Sequence, residues 1–88
     1  MKSKLYSVYD LKARVFFKPF TEINDATATR AFSVSLADHP NLTDYELYRV
    51  GSFDDQTAAL EPTDPVQIYS GFSVAAVAAN GSEEESEK

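Results

Sequence analysis

One clear helical stripe lies between two pairs of strand-forming runs, and that order restricts the fold more than any other feature of the chain. Ala28, Ala31, Phe32, Ser35 and Leu36 recur at i, i+3, i+4, i+7 and i+8, the spacing that lines one helix face with apolar side chains. Asn24 is a good N-cap, and Asp25 brings a favourable negative charge to the first turn. Ile23, just before the cap, can pack on Ala28 as a hydrophobic staple. Asp38-His39-Pro40-Asn41 ends the segment, because proline disfavours helical backbone in the residue before it. The helix is predicted over 25–37.

Lys4 to Asp10 and Arg14 to Phe20 are rich in strand formers, with Leu11-Lys12-Ala13 between them as a three-residue hairpin loop. Setting Asp10 opposite Arg14 places Tyr9 opposite Val15, Val8 opposite Phe16, Ser7 opposite Phe17 and Tyr6 opposite Lys18. Side chains alternate faces along a strand. Leu5, Tyr9, Val15 and Phe17 then form a core face, and Lys4, Tyr6, Arg14, Phe16 and Lys18 an open one. After the helix, Tyr45 to Phe53 reads as a third strand, Asp54 to Thr57 as a polar turn, and Ala58 to Glu61 as a short fourth strand. Pro62, Asp64 and Pro65 break regular structure, and Gln67-Ile68-Tyr69 is at most briefly extended. Gly71 to Ala79 is too short and too rich in alanine to assign. The order β-β-α-β-β predicts an α+β fold, an antiparallel sheet with one helix on one face. The expected core is Leu5, Tyr9, Val15, Phe17, Ala28, Phe32, Leu36, Leu47 and Phe53.

At 88 residues the chain makes one small domain, expected over 1–70. The rest, 71–88, reads as a flexible acidic tail ending in a glutamate-rich low-complexity stretch. Cysteine is absent, which excludes disulfides and thiol chemistry. One histidine, His39, cannot build a multi-histidine metal site, and no nucleophile stands out beside it as a partner. Asp54-Asp55 suit a turn cap better than a magnesium site, and no glycine-rich phosphate loop occurs. An enzyme is not expected, nor any cofactor or metal. The longest weakly apolar stretch, Gly71 to Ala79, falls far short of the ~20 residues of a membrane helix, so no membrane contact is expected and the protein reads as cytosolic in type.

Charge supplies the functional clue. Residues 1–18 carry Lys2, Lys4, Lys12, Arg14 and Lys18 against one acid, Asp10, in a chain whose net charge is −6. A basic, aromatic start on an acidic protein suggests a local anionic contact. Single-stranded nucleic acid is held by cations on phosphates and rings under bases. Lys4, Tyr6, Arg14, Phe16 and Lys18, assisted by Lys2 and Lys12, have those chemistries. A two-sided sheet whose second face is covered by the tail or by another subunit explains the same residues, and both readings stand at this point. Exposed sheet edges and an apolar outer face predict a homodimer or larger homo-oligomer.

The stretch from Leu5 to Glu61 resembles the small nonstructural protein of the gokushovirus-type microviruses, bacteriophages of the Microviridae with single-stranded circular DNA. The resemblance is carried by Tyr6-Ser7-Val8-Tyr9-Asp10 with Lys12-Ala13, by Pro19-Phe20, and by Asn24-Asp25-Ala26 leading to Arg30-Ala31-Phe32. Asp44-Tyr45-Glu46-Leu47-Tyr48 running into Val50-Gly51-Ser52-Phe53-Asp54-Asp55-Gln56-Thr57 completes it. The family usually has glycine after the equivalent of Thr57, where this chain has Ala58; glycine there would serve a left-handed turn position. The resemblance implies a non-enzymatic protein of the infected bacterial cytoplasm, outside the mature virion. Its implied role is in viral DNA replication, at the switch to single-strand synthesis and packaging. Two partner classes follow: single-stranded DNA itself, or a host or viral replication protein engaged without DNA contact.

Overall fold

The structure, a computed structural model, describes residues 1–79. It is α+β: five antiparallel strands form one sheet with two helices. The strands are β1 (Lys2–Asp10), β2 (Val15–Phe16), β3 (Phe20–Glu22), β4 (Tyr45–Asp54) and β5 (Leu60–Ser70); the helices are α1 (Asp25–Leu36) and α2 (Gly71–Ala79). A short 3-10 turn, Leu42–Asp44, leads into β4. The sheet order is β2-β1-β4-β5, and β3 continues along the same edge of β1 as β2.

α1 forms where the stripe predicts. The Asn24 side chain accepts from the Thr27 N–H at 2.9 Å, and the Thr27 hydroxyl receives the Asn24 N–H in return. This reciprocal cap satisfies two otherwise orphaned donors. The helix buries Ala28, Phe32 and Leu36 against Leu47, as expected, together with Tyr6 and Val74, which the sequence does not place in the core.

The first hairpin differs from its prediction by one residue. Its loop has four residues, Leu11–Arg14, and Asp10 pairs with Val15, Tyr9 with Phe16. Asp10 sets this geometry: its carboxylate accepts from the N–H groups of Lys12 and Ala13, at 2.9 and 3.1 Å. Arg14 closes the turn in the left-handed region, φ 62°, and donates its N–H to the Asp10 carbonyl. The covered face of β1 also has the opposite parity, with Tyr6 and Val8 on the core and Tyr9 outward. Leu5, Tyr9 and Phe53 are only partly buried, and Val15 and Phe17 are exposed. Both parities of β1 carry large apolar side chains, so alternation alone does not choose between them. The choice falls to Tyr6, whose hydroxyl meets Asp25 at the start of α1.

Two further expectations are corrected. The fourth strand is not short: β5 runs through Pro62 and Pro65 to Ser70. It lies at the sheet edge, where a residue without an N–H is tolerated. Across from it Gly51 is required, since a Cβ there would collide with the Glu61 carbonyl oxygen. The second correction moves the domain boundary. α2 belongs to the folded unit, with Val74 in the core, so the fold passes residue 70 and continues to 79. The glutamate-rich tail lies outside the described residues.

Candidate nucleic-acid interface

Both helices cover the same face of the sheet. On the opposite face, at the β1–β2 end, three rings meet. Tyr9 and Phe16, paired across the hairpin, have centroids 4.7 Å apart, and Phe16 stands edge-on to Tyr48 at 5.3 Å. Tyr9 and Tyr48 complete the triangle at 6.3 Å. Phe16 is 46% exposed. Tyr9, Phe16 and Tyr48 come from three strands, and the antiparallel register brings them together. The row across the sheet runs Phe16, Tyr9, Glu46, Ser70, and the next row has Ser7, Tyr48, Gln67. The Tyr48 hydroxyl donates to Glu46 Oε1 at 3.0 Å. Burial and then the Glu46 carboxylate raise the Tyr48 phenol above its ordinary value, so it remains a donor.

Three cations lie next to Phe16 along the chain. Lys12 and Arg14 lie in the hairpin loop and Lys18 two residues beyond Phe16, all exposed. Among the described residues none of the three has an ion-pair partner. The loop is anchored, because Leu11 donates its N–H to the Asp44 carbonyl at 2.8 Å.

The remaining predicted residues are elsewhere. Lys2 and Lys4 sit at the far end of β1, about 20–27 Å along the strand from the loop. Lys2 pairs with Glu61 at 3.0 Å, and Lys4 lies opposite Glu22. Tyr6 must be removed from the list. It is fully buried, and its hydroxyl donates to Asp25 Oδ1 at 2.6 Å, so no base can stack on it. Asp25 Oδ2 also receives the Arg49 guanidinium. The Tyr6 hydroxyl, then Arg49, hold the Asp25 carboxyl below its ordinary range, and burial pushes the Tyr6 phenol up. This cluster fastens the helix N-terminus to the sheet.

Of the seven predicted residues, Lys12, Arg14, Phe16 and Lys18 share one end of the sheet. Tyr9 and Tyr48 were missed. Tyr48 could have been found by alternation, since Leu47 is a core position and its neighbour must face outward.

Other groups have local roles. Asp54 Oδ1 accepts from the Gln56 N–H at 2.9 Å, the expected turn cap, and His39 Nδ1 accepts from the Asn41 N–H at 3.0 Å. Among the described residues no group of three or more His, Cys, Asp or Glu side chains could hold a metal ion, and no helix is long and apolar enough to cross a membrane.

Residues 3–74 match the family described as Phage ORF5 protein. The chain belongs to the Phage ORF5 protein family. The match covers β1 from Ser3 onward, the other four strands, α1 and the first residues of α2, so the ring cluster and the cationic loop lie on the segment that defines membership in this phage family. No curated protein and no solved structure matches the chain significantly.

Proposed function

We propose that this phage protein binds single-stranded DNA through the uncovered β1–β2 end of its sheet. The observation that carries the reading is the triangle of Tyr9, Phe16 and Tyr48 on a helix-free face, beside three cations that have no acidic partner among the described residues. Each base stacked on a ring is worth about 1–3 kcal/mol, and Lys12, Arg14 and Lys18 neutralise phosphates. The net charge of −6 confines the attraction to this end and disfavours indiscriminate binding along duplexes. In keeping with the resemblance to gokushovirus-type microviruses, the protein serves viral DNA replication in the bacterial cytoplasm, at the switch to single-strand synthesis and packaging. It acts there without catalysis.

Fluorescence anisotropy with single- and double-stranded oligonucleotides across a salt series tests this. Affinity for single strands should fall with salt, with a slope of about −0.7 per phosphate neutralised. Arg14→Ala with Lys18→Ala should weaken binding and flatten the slope, and Phe16→Ala should weaken it with the slope unchanged. Lys2→Ala with Lys4→Ala, at the far end, should have little effect. Absence of binding at low salt, or equal loss from both ends, refutes the reading.

A second reading rests on the apolar side chains bordering this sheet: Val15, Phe17, Leu60 and Val66 are exposed. They suit a protein partner, either a second copy of the chain or a replication factor. Sedimentation at rising concentration would reveal self-association.

A further inference from the structure

We infer that Glu46 reads the bases held at the ring cluster and makes the site prefer guanine. The inference rests on the single-strand reading above. A carboxylate is an unexpected neighbour for a phosphate-binding surface, since it repels the ligand's charge. Glu46 is nevertheless directly opposite Tyr9, in the row that continues from Phe16. Directly opposed residues on one face have Cβ atoms about 4.5–5.5 Å apart. A base stacked on Tyr9 therefore has Glu46 beside it in the row, within reach of its edge.

The carboxylate is held for this contact. The Tyr48 hydroxyl donates to Oε1, and among the described residues no other hydrogen bond reaches the carboxylate. Oε2 is therefore left to a ligand, and Oε1 keeps a second lone pair, since an ionised carboxylate accepts about four bonds. Tyr48 belongs to the ring cluster itself, so stacking and edge reading share one rigid unit.

The four bases differ in what they offer a carboxylate. Guanine has two adjacent donors on its pairing edge, N1–H and the N2 amino group, matching the two carboxylate oxygens as parallel charge-assisted bonds. Cytosine and adenine each place a ring-nitrogen acceptor beside their amino group, which the carboxylate repels. Thymine has one N–H between two carbonyls. Only guanine offsets the cost of the negative charge.

The test uses the full chain and single-stranded oligomers of one length in anisotropy titrations at fixed salt. One oligomer is all thymidine. The other carries isolated guanosines, spaced to prevent four-stranded structures. The wild type should bind the guanosine oligomer roughly tenfold more tightly, within the usual range for a bidentate contact. Glu46→Gln and Glu46→Ala should reduce the ratio toward one while thymidine binding stays equal or strengthens, because a repelling charge is gone. That retained thymidine binding separates loss of reading from loss of folding. Equal affinity of the wild type for both oligomers, or a preference that survives in both variants, overturns the inference and leaves the DNA reading intact. Binding to neither oligomer refutes both.

Discussion

Two tyrosines three residues apart, Tyr6 and Tyr9, divide the work of β1: one fastens the helix and the other faces outward. Their roles follow from what each hydroxyl meets, since Tyr6 reaches Asp25. This is why the sequence could not separate them. Leu5 with Tyr9 and Tyr6 with Val8 are equally good apolar pairs, and the deciding contact comes from a helix residue 19 positions away. The pH dependence of stability should report it. Asp25 has a lowered carboxyl in the folded protein, so its contribution is complete above the unfolded value near 4 and is lost as pH falls through the folded one. Tyr6 is raised, so its contribution is complete below about 10 and lost as pH climbs beyond it. Urea unfolding should therefore find a flatter acid limb in Asp25→Asn and a flatter alkaline limb in Tyr6→Phe. Ala58 offers a second test at this scale. It sits at φ 63° in the β4–β5 loop, the left-handed conformation expected of glycine at that position. Ala58→Gly should stabilise the protein by roughly 0.5–1 kcal/mol, the relief of left-handed strain less the entropy glycine loses, read as a higher urea midpoint with unchanged slope.

Among the elements, α1 was legible because stripe, cap and terminator agree, and three of its predicted core residues are buried. β5 and α2 were not, for different reasons. Proline argues against a strand only where both neighbours need hydrogen bonds, and β5 has one neighbour. α2, nine residues long, is too short to be helical on propensity. It exists because Val74 reaches the core and Gly71 lets the chain pass against the 3-10 turn. A Cβ on Gly71 would overlap the Leu42 carbonyl and stand 3.0 Å from the Thr43 Cα. Both neighbours are backbone and cannot rotate away. Gly71→Ala should cost roughly 1–3 kcal/mol, as overpacking does, and proteolysis should then cut near α2 earlier than in the wild type.

For the whole molecule, the charge cluster of the sequence becomes two separate groups in space. β1 is extended, so the five cations of the first 18 residues fall at its two ends; at one end Lys2 pairs with Glu61 and Lys4 lies opposite Glu22. Four of the site's six residues, Lys12, Arg14, Phe16 and Lys18, were legible, because the cations lie in or just after the loop and Phe16 faces outward in either register. The other two, Tyr9 and Tyr48, depended on the one-residue register and on the pairing of β1 with β4. Those two strands are neighbours in the sheet but are separated along the chain by β2, β3, α1 and the 3-10 turn, so no local pattern announces their contact. The outer edge of the sheet carries one more consequence. β5 is a long exposed border of the kind on which copies of a protein add strand to strand. Pro62 and Pro65 have no N–H to donate, and wherever one of them turns its nitrogen outward the ladder a newcomer would need is broken. The two residues that argue against a strand in the sequence thus act, once the strand has formed, against further pairing along so long a border.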